Sequence, residues 1–204
     1  MTEVLQNLAA FMLYALLAIF VENAVFTRGF GVSRLTKLVG DSAVDSFVFC
    51  ALLCLVLVLS APAGFWFNAF LEGPEFWYRD YVRPIGLIVI TVLAFTLVII
   101  VVSLLPIRNK KDILAVLPMA SFNCAVMGPM LITQAQSYTF TQTMGFALGS
   151  GLGYGLAVLM VTEGQAKMRS PKVPKSLRGL PVNLLYIGIL AMAIYGLTGH
   201  RLPI

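Results

Sequence analysis

Charge is what this sequence has least of. Fourteen Lys and Arg and nine Asp and Glu make up only 11% of its 204 residues, where a soluble domain carries roughly a quarter. With 59% of the residues hydrophobic, so little charge excludes a water-soluble globule. Histidine is reduced to His200 near the end, so no histidine-based metal or acid–base set exists. Cysteine occurs three times, at Cys50, Cys54 and Cys124, each inside an apolar stretch. That excludes an extracellular disulfide framework. There is no Walker loop, no nucleotide-binding glycine fingerprint and no Ser/His/Asp set, hence no active site of the chain's own visible in the sequence. The start, MTEVLQNLAAF, has Glu3 and no basic cluster, unlike a cleaved signal peptide.

Long apolar runs are what is there. A span needs about 20 apolar residues to cross about 30 Å of hydrocarbon. Six runs meet this: 4–26, 44–59, 85–105, 113–132, 142–162 and 180–197. Continuous runs of this length predict helices, because a lone strand leaves its backbone unsatisfied in lipid. The fold class expected is therefore all-α, an integral membrane protein of six transmembrane helices. The net charge of +5 does not indicate nucleic acid, because the basic residues sit in short loops between the runs. Eleven of the 14 fall in the first, third and fifth loops, which predicts cytoplasmic odd loops and both termini outside. The second loop, FWFNAFLEGPEFWYRDY, reads as an aromatic interfacial excursion on the outer face.

Six spans divide into two sets of three, 1 to about 105 and about 106 to 204, inside one transmembrane domain. Their opposite starting sides make any likeness between them an inverted repeat. ENAVF at 22–26 and NCAVM at 123–127 are such a likeness. Inverted repeats place functional elements near the midplane on interrupted helices, and Gly29–Gly31 and Gly128–Pro129 are the expected interruptions. Cys124 lies 11 residues after Ile113, about 16 Å deep at 1.5 Å per residue. Glu22 counts to the cytoplasmic surface if its span starts at Val4, and to the middle if it starts near Phe11.

FVENAVF, GVSRLTKLVG, LPMASFNCAVMG, GFALGSGLGYGLAVLMV and KVPKSLRGLPVNLL, in that order, make the chain similar to the RnfA/NqrE branch of the Rnf/Nqr membrane subunits. The resemblance covers nearly the whole chain. It implies a non-catalytic subunit in the bacterial inner membrane, part of a complex coupling redox chemistry to Na⁺ or H⁺ translocation. It also implies pairing with an oppositely inserted RnfE/NqrD-like subunit, alongside other Rnf/Nqr-type subunits. The pair would share an intramembrane iron–sulfur cluster held by two cysteines from each member. Cys124 matches one of these. The other belongs to an LG-x-C-x-F element, and here the chain departs: between Asn23 and Gly31 it reads AVFTRGF, shorter and without cysteine.

Each candidate residue has a bland reading beside the sharp one. Cys124 is either a small packed hydrophobe or a cofactor and metal ligand. Cys50 and Cys54, spaced i and i+4, share a helix face and are either packing residues or substitute thiolates. Glu22, an acid well inside an apolar run, titrates, binds Na⁺, or pairs with Arg28. Asn23 and Asn123 belong to an ion pathway or fix helix packing. The glycines at 145, 149, 151, 153 and 155 read as a close-packing surface. The rival to the redox reading is a family member without a cluster, acting as a small-molecule transporter or a structural partner subunit.

Overall fold

Every regular element in the described residues is helical, as the apolar runs require. The computed structural model describes residues 2–40, 46–71, 78–104, 110–168, 174 and 177–198. The helices are α1 (Thr2–Leu16), continued by a wider turn over Leu17–Val21, α2 (Val32–Gly40), α3 (Ser46–Leu71), α4 (Arg79–Leu104), α5 (Lys110–Ser121), α6 (Cys124–Ala135), α7 (Phe140–Met168) and α8 (Leu180–Thr198). Five segments are long and apolar enough to cross a membrane, or six when α5 and α6, bent by 44°, count as one broken span.

Helix α7, 29 residues long, is the axis of the bundle. A Cβ on Gly145, Gly149 or Gly153 would meet the carbonyl oxygens of Phe11, Ala15 and Ala18 in turn. The ascending register makes α1 and α7 parallel, with backbones in contact because the seam has no side chains on one side. On the other face Gly151 lies against Cys54 and Gly155 against Cys50, so α3 runs antiparallel. Tyr154, Phe49 and Phe146 are the largest fully buried side chains. The outer faces carry exposed Leu, Ile, Val and Met on α1, α4 and α8, the surface a bilayer covers.

Three expectations are corrected. The second apolar run continues to Leu71 as helix, so the first half of the aromatic stretch is not a loop. Gly64, Asn68 and Leu71, at helical spacing, stay buried and carry the helix on. The fourth run is not continuous. It breaks at Phe122–Asn123, ahead of Cys124, while Gly128 and Pro129 lie inside α6. The first run ends at Val21 rather than Phe26. In both cases asparagine interrupts the helix, because its side-chain oxygen competes for nearby backbone N–H groups. The loop residues Arg108, Arg169, Lys172 and Lys175, residues 72–77 of the aromatic stretch, and the tail with His200 and Arg201 lie outside the described residues.

Candidate functional site

The two interrupted helices meet halfway along α7. At the end of α1 the Glu22 N–H reaches back five residues to the Leu17 carbonyl, at 2.8 Å. Asn23 then turns the chain. Its Oδ1 accepts from the N–H groups of Val25 (2.9 Å) and Phe26 (3.3 Å). Its Nδ2 donates to the carbonyls of Ile19 (2.8 Å) and Gly153 (3.0 Å). The side chain is fully buried and spends its whole hydrogen-bonding capacity on backbone. Because Gly153 is near the middle of the Phe140–Met168 helix, this contact holds Glu22–Asn23 beside the middle of α7.

Asn123 does part of the same work for α6. As N-cap it accepts from Ala125 N–H at 3.1 Å. It is 4% exposed, and its Nδ2 has no hydrogen-bond partner. Between the two breaks lies Gly31, at φ +75. A Cβ there would stand 2.8 Å from both Asn123 Oδ1 and Tyr154 Cε2, so only glycine fits. Tyr154 donates its hydroxyl proton to the Gly31 carbonyl at 3.3 Å. Phe30 lies over Gly128, where any Cβ would overlap its ring. Segment 24–31 is thus packed onto the first turns of α6.

Cys124 opens α6 and is exposed. Glu22 and Arg28 pair at 3.4 Å, the acid 22% and the base 41% exposed. Toward the α6–α7 turn, Tyr138 stacks edge-on against Tyr14 and Phe146 and donates to Gln136 Oε1 at 2.7 Å. Burial pushes the Tyr138 phenol up to about 12; the Glu22 carboxylate and Tyr14 add to the rise, and Arg28 opposes it.

Of the residues singled out in the sequence, Asn23 and Asn123 are joined here through Gly153–Tyr154 and Gly31, with Glu22 and Cys124 as their chain neighbours. Cys50 and Cys54 do not join them as a thiol cluster. They line an apolar groove of about 700 Å³ between α3 and α7, with Gly151, Gly155 and Leu152. Among the described residues no three His, Cys, Asp or Glu converge on a metal position. Sequence reasoning named Gly31 only as a helix interruption and missed Phe30 and Tyr154 as members of the site. Tyr154 was visible only as the aromatic inside the glycine run.

Comparison with known proteins agrees with this architecture. Residues 11–200 match the family model described as Rnf-Nqr subunit, membrane protein. The E subunit of the Na⁺-translocating NADH-quinone reductase of Chlamydia pneumoniae is 29% identical over 155 residues, covering 71% of this chain and 60% of that protein. The A subunit of the Na⁺-translocating ferredoxin:NAD⁺ oxidoreductase complex of Acetobacterium woodii is 27% identical over 192 residues, 91% of this chain and 95% of that one. The E subunit of the Na⁺-translocating NADH-quinone reductase of Proteus mirabilis is 26% identical over 193 residues, again 91% and 95%. The chain thus spans the latter two relatives almost end to end, but about 60% of the chlamydial one.

Proposed function

The chain belongs to the Rnf-Nqr family of membrane-protein subunits, and from that premise we propose that it is a membrane subunit of an ion-translocating oxidoreductase complex. Its part is to hold the membrane core through which redox chemistry on other subunits is coupled to Na⁺ or H⁺ movement. The observation that carries the reading is the meeting of two Asn-capped half-spans at mid-length of α7, with Cys124 at the exposed tip of one.

The finer arrangement draws on the same geometry. Asn23 and Asn123 each accept from the N–H two residues on, as equivalent positions in two inverted three-helix repeats would. Together with the Lys/Arg bias of the odd loops, this supports both termini outside, in a bacterial inner membrane. A mid-depth ion pair facing lipid is costly, so the partly exposed Glu22–Arg28 pair favours a covering partner, an oppositely inserted homologous subunit. In this reading the asparagines set the packing, and Glu22 is the acid available to an ion path.

Iron–sulfur clusters take four ligands, normally thiolates. The break supplies one, Cys124, and the segment packed on it, 24–30, offers Thr27, Arg28 and Phe30 but no thiol. The chain does not fit a two-cysteine share of a cluster. That observation favours a second reading: a cluster-less member that works as a transporter or structural partner.

The test is purification from native membranes without oxygen. Co-purification of a homologous subunit with flavin- or iron-bearing subunits, and redox-driven Na⁺ or H⁺ uptake in reconstituted vesicles, is expected. A chain that purifies alone or with its homologue only, inert in that assay, overturns the redox reading in favour of transport. Iron and acid-labile sulfide lost in Cys124→Ala would make Cys124 a ligand with the others supplied from outside. An iron-free complex leaves it a packing residue.

A further inference from the structure

Away from the two breaks, the head of α8 starts, as that of α2 does, from a glycine at positive φ. It follows Gly179, which has no side chain to cap it, sits at φ +87, and would have nothing within 4 Å of an added Cβ. The first N–H groups of a helix have no partner inside it and concentrate its positive end. Pro181 has no N–H, and that of Asn183 bonds the Gly179 carbonyl at 3.2 Å. Among the described residues the Val182 N–H has no carbonyl partner and forms the open positive end.

A pocket of about 270 Å³ adjoins this point, lined by Gln165 and Met168 at the end of α7 and by Arg178, Gly179, Val182 and Asn183. Asn183 is the independent observation. Its side chain is 3% exposed, yet Oδ1 has no hydrogen-bond partner, and a buried acceptor without a donor is costly. The pocket thus presents an anion-attracting helix start with a guanidinium, and one turn deeper an acceptor in need of a donor. Leu180 and Leu184, 58% and 44% exposed, extend from it along one face of α8 as an apolar track.

A ligand that satisfies all three carries a phosphate, a hydrogen-bond-donating ammonium and a hydrocarbon chain. We propose that the pocket binds the headgroup of a zwitterionic aminophospholipid. Its phosphate sits at the α8 N-terminus beside Arg178, its ammonium donates to Asn183 Oδ1, and its acyl chains follow Leu180 and Leu184. The pocket lies where α7 ends and α8 begins, the level at which headgroups meet a spanning helix. The site is separate from the two breaks and does not depend on the redox reading.

The experiment is native mass spectrometry of the full chain, delipidated in detergent. It is offered phosphatidylethanolamine, phosphatidylcholine or phosphatidylglycerol of matched chains, each with and without excess inorganic phosphate. Phosphatidylethanolamine is expected to be retained about tenfold better than phosphatidylcholine, whose trimethylated nitrogen cannot donate to Asn183. Inorganic phosphate is expected not to displace it. Arg178→Gln, at an exposed position, lowers phosphatidylethanolamine retention, and Asn183→Leu abolishes the preference over phosphatidylcholine. Equal retention of those two lipids by the unaltered chain overturns the proposal whether or not the Asn183 variant folds. So does displacement by inorganic phosphate, which would make this a free-anion site, or stronger retention of phosphatidylglycerol. Wild-type behaviour of both variants overturns it as well.

Discussion

The Asn23 side-chain amide donates to the Gly153 carbonyl, 130 residues away in sequence and 3.0 Å away in space. One hydrogen bond thereby ties the end of α1 to the middle of α7. Asn123 caps α6 with a single acceptor contact and leaves its Nδ2 unbonded. The two asparagines therefore do unequal structural work. Asn23→Ala strands two buried donors at about 1–3 kcal/mol each, whereas Asn123→Ala removes an N-cap at about 1 kcal/mol. Thermal unfolding in detergent is expected to show the larger loss for Asn23→Ala. The reverse order would mean that Asn123 holds something other than its own helix.

Gly29 and Gly31 separate backbone strain from crowding. Both have positive φ, +71 and +75, but a Cβ at Gly29 meets nothing within 4 Å. Gly29→Ala is expected to cost only the left-handed penalty, about 1–2 kcal/mol. Gly31→Ala adds a collision with Asn123 and Tyr154 and is expected to lower the unfolding midpoint clearly further. Equal midpoints would show that the two breaks are not packed on each other.

A similar comparison tests the α1–α7 seam. Gly149 faces the Ala15 carbonyl, while Gly188 in α8 has open space around it. Gly149→Ala must push α1 away and is expected to destabilise. Gly188→Ala gains helix propensity, about 0.5–1 kcal/mol, and is expected to be neutral or stabilising. Loss in both, measured by yield and unfolding midpoint, would argue that α8 also packs through its glycines.

Much of this was legible in the sequence, and the limits have physical causes. Scarce charge and six apolar runs are enough for membrane helices, since lipid leaves the backbone no other choice. The glycines at 145, 149 and 153 declared a close seam but not its partner, which is set by tertiary register. Glu22 could be counted to two depths, and the Asn23–Gly153 bond sets it beside the middle of α7, a neighbour that no residue count along α1 reveals. The break in the fourth run was looked for at Gly128–Pro129, yet proline is accommodated inside α6 while Asn123 diverts the chain. Phe30 over Gly128 was invisible because nothing local marks a glycine as a seat for an aromatic ring.

Tyr138 supplies a pH test. Its phenol ordinarily ionises near 10 and is pushed up to about 12, by burial first and then by Glu22 and Tyr14. The folded state holds this proton more tightly than the unfolded state. The stability owed to it is therefore complete below pH 10 and lost as pH rises toward 12. Tyr138→Phe is expected to flatten alkaline unfolding in that window, and Glu22→Gln to lower the phenol's titration midpoint as followed by tyrosinate absorbance. An unchanged midpoint in Glu22→Gln would separate the Glu22–Arg28 pair from Tyr138.

The exposed thiol gives the sharpest test of the proposed pairing. Cys124 is exposed, whereas Cys50 and Cys54 are only partly so and sit against the glycine face of α7. A membrane-permeant maleimide is therefore expected to modify Cys124 first in the isolated subunit, as read from the mass of its peptide. In the assembled complex a covering partner would shield that thiol, and labelling is expected to fall by about an order of magnitude, while Cys50 and Cys54 change little. Protection confined to Cys124 puts the partner on the tip of α6. Protection of Cys50 and Cys54 instead would move the interface to the α3–α7 groove. The partly exposed Glu22–Arg28 pair would then need water, not protein, to cover it.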